Sequence, residues 1–200
     1  MAEQKHLRRL DRIWIPSAVY FLTVCTNKRR PILGTPDSAN ILLREWRAAR
    51  NRHGWLVGRY VVMPDHVHFF CAEQAEGEKR TLSQFMNKWK EWTAKGIAAA
   101  MTLSRPVWQR GFFDHLMRSD ESYGEKWAYV RENPVRAGLA PTWAEWPWQG
   151  FVDFDFPGSA EGIKQPPRPA GAATTGLGEF VAATPSGCGD AESSLMQEKL

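Results

Sequence analysis

Two apolar runs rich in β-formers meet at a proline-aspartate turn near the middle of the chain, and this junction most restricts the fold. Tyr60-Val61-Val62-Met63 precedes Pro64-Asp65, and His66-Val67-His68-Phe69-Phe70-Cys71 follows. Val, Tyr and Phe favour pleated backbone, and Pro-Asp is turn chemistry. The segment reads as a hairpin with strands over residues 55–63 and 66–72. Side chains alternate faces along a strand, so His66 and His68 project side by side. Two imidazoles so placed suit a divalent metal. The alternative is a pair of hydrogen-bonded structural histidines.

The flanking sequence supplies the other elements. Residues 19–26 read as a strand. Residues 37–52 read as a helix capped by Asp37 or Ser38, with Ile41, Leu42, Trp46 and Ala49 on its apolar face. Arg44, Arg47 and Arg50 form a solvated stripe, and Gly54 is the stop. Residues 81–101 read as a long helix capped by Thr81 or Ser83, with Leu82, Phe85, Met86, Trp89 and Trp92 at helical spacing. Val107–Met117 contains the fourth strand, and residues 120–132 form a third helix. The order strand, helix, strand, strand, helix, strand predicts an α+β, ferredoxin-like antiparallel sheet. Helices are expected on one face, leaving the other free to stack bases as in RNA-recognition domains.

Charge narrows the partner. Residues 1–150 carry 23 Lys+Arg against 15 Asp+Glu, whereas residues 151–200 carry 3 against 7. A basic body holding all ten tryptophans suits a polyanion with bases to stack. Ordinary surface solubility is the competing explanation. The Pro, Gly and Ala-rich stretch over 151–200 is poor in core-forming residues, so a domain over 1–150 and a disordered tail are expected. No run of 18 apolar residues is present, which excludes a membrane-spanning helix, and the first residues do not read as a signal peptide. Cys25, Cys71 and Cys188 lie far apart, which fits a reducing cytoplasm and argues against a disulfide framework or a zinc-stabilised domain.

The third helix holds the second clue. At 100° per residue, Tyr123, Trp127, Val130 and Pro134 fall within about 60° of one another and form the buried stripe. Tyr129 lies off that stripe, on a face shared with Ser122, Lys126 and Asn133. Pro134 disfavours helical geometry at Asn133, so Asn133 is expected to close the helix. A phenol, an amide oxygen and two imidazoles make sense together. A metal offsets charge on a scissile phosphate, and the phenol attacks phosphorus to form a covalent phosphotyrosine. A free phenol ionises near about 10, so it needs help at neutral pH.

These blocks resemble a known family. Met63-Pro64-Asp65-His66-Val67-His68, then Trp108-Gln109-Arg110-Gly111-Phe112-Phe113-Asp114-His115, then Tyr129-Val130-Arg131-Glu132-Asn133-Pro134-Val135-Arg136-Ala137-Gly138-Leu139, are similar to the REP-associated tyrosine transposases. The run Trp143-Ala144-Glu145-Trp146-Pro147-Trp148 also resembles the family's end. These proteins form the single-tyrosine branch of the HUH nucleases, and the likeness covers residues 10–150. It implies a ferredoxin-like fold with a catalytic helix near the histidine strand. It implies Tyr129 as nucleophile and His66, His68 and Asn133 as ligands of Mg²⁺ or Mn²⁺. It further implies cleavage and rejoining of single-stranded DNA near hairpins. Imidazole donors favour Mn²⁺. Asp65, Gln109, Asp114 and His115 receive no role. The competing function is a module that grips hairpin or single-stranded nucleic acid without cutting it. Either a monomer or a homodimer is compatible with the sequence.

Overall fold

The central hairpin becomes the centre of the sheet in the computed structural model, which describes residues 18–155 apart from 79 and 118–119. The strands are β1 (Val19–Cys25), β2 (Trp55–Met63), β3 (His66–Glu73), β4 (Phe113–Met117) and β5 (Gln149–Phe151). The helices are α1 (Pro36–His53), α2 (Leu82–Ala100), α3 (Asp120–Arg131) and the short α4 (Asn133–Arg136). The sheet is antiparallel throughout, in the order β4-β1-β3-β2-β5. This is the expected α+β, ferredoxin-like architecture with one added edge strand. Residues 1–17, which the sequence reading assigns to no element, lie outside the described residues.

Helix ends follow local chemistry. Thr35, and not Asp37 or Ser38, caps α1. Its side chain accepts from the Ser38 backbone, Ser38 reciprocates, and Pro36 takes the first helical turn, where its missing N–H costs nothing. Gly54 ends the helix at φ 73°, a left-handed conformation that glycine adopts without a Cβ clash. Thr81 caps α2 in a reciprocal pair with Gln84.

Strand alternation separates two cores. Leu22, Val24, Tyr60, Val62, Val67, Phe69 and Cys71 point toward α1 and α2. There Trp46 stacks on Trp89 with ring centres 5.7 Å apart, and Trp55 stacks on Phe85 at 5.5 Å. Val19, Phe21, Val61, Met63, Phe70 and Ala72 point the other way. They are covered by Tyr123, Trp127 and Val130 of α3, together with Trp146 and Phe154.

The structure corrects three expectations. The second sheet face is not free for bases, because α3 and the segment that follows it pack there. Trp46, Trp55, Trp89, Trp108, Trp127 and Trp146 are buried core residues, while Trp92 falls off the α2 stripe and stands exposed. The boundary at 150 cuts through β5, and ordered packing continues to Phe154, whose ring fills the space a side chain at Gly58 would need. The short β5 escapes sequence reading because a three-residue strand carries no periodicity. The remainder of the expected tail over 151–200, from residue 156 onward, lies outside the described residues.

Candidate active site on the histidine strand

Register sets the site. On β3 His66, His68, Phe70 and Ala72 share the α3 side of the sheet, and pairing with β1 places Cys25 opposite His66 and Thr23 opposite His68. The two imidazoles stand edge to face with centres 4.7 Å apart. Phe21 stacks on His68 at 5.4 Å, nearly parallel.

Each imidazole is fixed through the same ring atom. His66 Nδ1 donates to Asp65 Oδ1 at 2.7 Å, and Asp65 Oδ2 in turn meets Arg29 Nε at 2.9 Å. His68 Nδ1 and Thr23 Oγ1 are hydrogen-bonded at 2.8 Å. That leaves Nε2 of each ring as the nitrogen that could hold a metal, since a carboxylate or hydroxyl behind a histidine orients it for such a role. Burial holds His68 well below the ordinary imidazole value, and the nearby cationic side chains of Lys126, Arg29 and Arg136 push in the same direction. The ring is therefore neutral, as a ligand must be. Burial opposes ionisation of Asp65, but the hydrogen bond from His66 and the Arg29 charge outweigh it and keep the carboxyl below its usual range.

A divalent metal fits this donor set through two imidazole nitrogens and an added oxygen. Among the described residues no group of three or more His, Cys, Asp and Glu side chains gathers to hold a metal. The oxygen must then come from an amide, water or substrate.

The helix residues sort as the angular argument expects. Tyr123 is fully buried against Phe70 and Phe154, and burial drives its phenol strongly up from its ordinary ionisation range. Tyr129 is 39% exposed, so its ring is open to a ligand. Asn133 opens α4 and does not close α3, which already ends at Arg131. Its Oδ1 accepts from Arg136 Nη2, and the same arginine donates to the Tyr129 carbonyl at 3.0 Å. The Arg136 guanidinium lies 4.2 Å from the Tyr129 ring centre. A metal-bound Asn133 must therefore share or release this guanidinium.

The structure thus brings His66 and His68 together and joins Tyr129 to Asn133 through Arg136. It also recruits residues the sequence left unassigned. Asp65 was visible as the neighbour of His66. Thr23 and Arg29 reach the site only through the tertiary fold, and Lys126, already on the Tyr129 face, meets Phe21 only through helix docking. Gln109 is held by its backbone N–H on Cys25 O at 2.9 Å. Asp114 and His115 sit on the edge strand opposite Leu22 and Phe21.

No helix among the described residues is long and apolar enough to cross a membrane. A family model described as "Transposase IS200 like" matches residues 15–133. A REP-associated tyrosine transposase of Escherichia coli (strain K12) is 27% identical over 140 residues, spanning 70% of this chain and 80% of that protein. A putative REP-associated tyrosine transposase of Haemophilus influenzae (strain ATCC 51907 / DSM 11121 / KW20 / Rd) is 22% identical over 147 residues, 70% of this chain and 83% of that one. The solved structure of a REP-associated tyrosine transposase bound to a REP hairpin superposes with a TM-score of 0.56 at 23% identity. It covers 72% of this chain and 82% of that chain, and it supports the fold.

Proposed function

Because this chain belongs to the IS200-like transposase family, we propose that it cuts and rejoins single-stranded DNA beside hairpin-forming repeats, through a covalent phosphotyrosine on Tyr129. His66, His68 and Asn133 would hold Mg²⁺ or Mn²⁺.

One observation carries this reading. The two imidazoles, each with Nδ1 tied off, face the same side of the sheet as the helix that exposes Tyr129. A metal held by His66, His68 and Asn133 would supply positive charge to the scissile phosphate. Asp65 and Thr23 hold the rings in orientation, so the imidazoles need not turn when substrate arrives. Tyr129 Oη attacks phosphorus. The new Oη–P bond forms as the P–O bond to the adjoining sugar breaks, the phenolic proton passes to water, and the departing sugar oxygen takes one up. Because the phosphodiester is stored on tyrosine, a sugar hydroxyl of a second strand reverses the step without ATP. The basic surface supplies sequence-independent grip on the backbone.

The test is incubation of the full chain with single-stranded hairpin DNA from repeats in its own genome, with Mn²⁺. A covalent protein–DNA species carrying the nucleotide on Tyr129, read by mass spectrometry, supports the reading. Tight hairpin binding with no adduct shifts it to a non-cleaving binding module.

A further inference from the structure

Lys126 lies three residues before Tyr129 on α3, one helical turn away, and is only 9% exposed. Its ammonium sits 4.5 Å from the Phe21 ring centre and 5.6 Å from that of Tyr129. Phe21 is the ring that stacks on His68, so the ammonium stands between the wall of the imidazole pocket and the tyrosine. Arg136 covers the Tyr129 ring as well, at 4.2 Å. Burying an ammonium this far has a desolvation cost that its neighbours must offset, and the Phe21 and Tyr129 rings are among them. Two cations bracketing one exposed phenol match a reaction in which an anionic phosphodiester arrives and a phenolate forms.

On the premise that Tyr129 is the nucleophile, we infer that Lys126 is a further catalytic residue: its ammonium contacts a non-bridging oxygen of the scissile phosphate and stabilises the charge that develops as Oη–P forms and the sugar P–O bond breaks. It keeps its proton throughout, so the atoms and protons balance as in the step above. Arg136, anchored to Asn133 and to the Tyr129 carbonyl, positions the phenol beside it.

The test pairs Lys126→Met with a substrate whose scissile phosphate is replaced by a neutral methylphosphonate. With ordinary DNA and Mn²⁺, Lys126→Met should slow adduct formation about 100-fold. Hairpin affinity should change by no more than about 3-fold, since many other phosphate contacts remain. With the methylphosphonate the wild-type and Lys126→Met rates should agree within about 3-fold, because the anionic oxygen that the ammonium serves is gone. Lys126→Arg should recover part of the rate. The methionine keeps the aliphatic stem over Phe21, and an unchanged melting temperature confirms the fold. An equal penalty on both substrates, or no penalty on either, overturns the role of Lys126 while leaving Tyr129 in place. A wild-type protein that makes no Tyr129 adduct overturns both.

Discussion

The two faces of one sheet are built to different rules. The face toward α1 and α2 is an aromatic and aliphatic core, with Trp46, Trp89 and Phe69 in mutual contact and Trp55 stacked on Phe85. The face toward α3 is apolar at one end, around Phe70 and Tyr123, and polar at the other. At that polar end His68, Thr23 and Lys126 are all buried. The α1/α2 face gains free energy from each ring removed from water. The polar end holds desolvated groups that need partners, and it meets that cost with hydrogen bonds and cation–ring contacts. The larger apolar core lies on one side and the proposed chemistry on the other.

The largest effect should come from a single oxygen on the chemical side. Tyr129→Phe should reduce adduct formation by about 10⁴-fold or more while hairpin binding and melting temperature stay at wild-type values. Tyr123→Phe should keep full activity, since its ring and not its hydroxyl fills the core. Adduct formed by Tyr129→Phe, or mapped to Tyr123, erases the division within α3.

The converse holds for the other face. Trp46→Ala should cost about 3–5 kcal/mol in urea unfolding, because it empties a volume lined by Tyr60, Phe69 and Trp89. Any folded fraction should still form the Tyr129 adduct. A loss under about 1 kcal/mol would show that this core is not close-packed.

Asp65→Asn probes the link between the imidazoles and their support. It should weaken Mn²⁺ binding by about 10–100-fold, read by calorimetry, because His66 loses the carboxylate that orients it. Unaltered Mn²⁺ affinity would detach Asp65 from the metal site.

A smaller effect should come from His53, buried at the end of α1 against Phe85. Burial lowers its affinity for a proton, and Arg80 and Arg52 add to this, while Glu45 opposes. The unfolded chain then binds the proton more readily, so the contribution of His53 is full above about pH 6.5 and is lost as pH falls toward the folded value. His53→Gln should remove up to about 1 kcal/mol of the stability lost between pH 7.5 and 5.5. An identical pH slope in the variant would assign the acid sensitivity elsewhere.

Much of this molecule is written locally. The Pro64-Asp65 turn, the alternation that puts His66 and His68 on one face, the Gly54 stop and the split between Tyr123 and Tyr129 all follow from spacing and turn chemistry within a few residues. Sequence by itself thus determined the element order, the hairpin and the candidate imidazole pair and phenol. It misjudged the free sheet face, because α3 has a weak apolar stripe whose burial depends on where the chain after β4 docks. It missed β5 and Phe154, which are held by Gly58 and the exposed edge of β2. Nor could it join Thr23 to His68, 45 residues away, or place Lys126 between Phe21 and Tyr129. Those contacts depend on strand register and helix docking, where energies are settled between distant residues. Local propensity has no access to them.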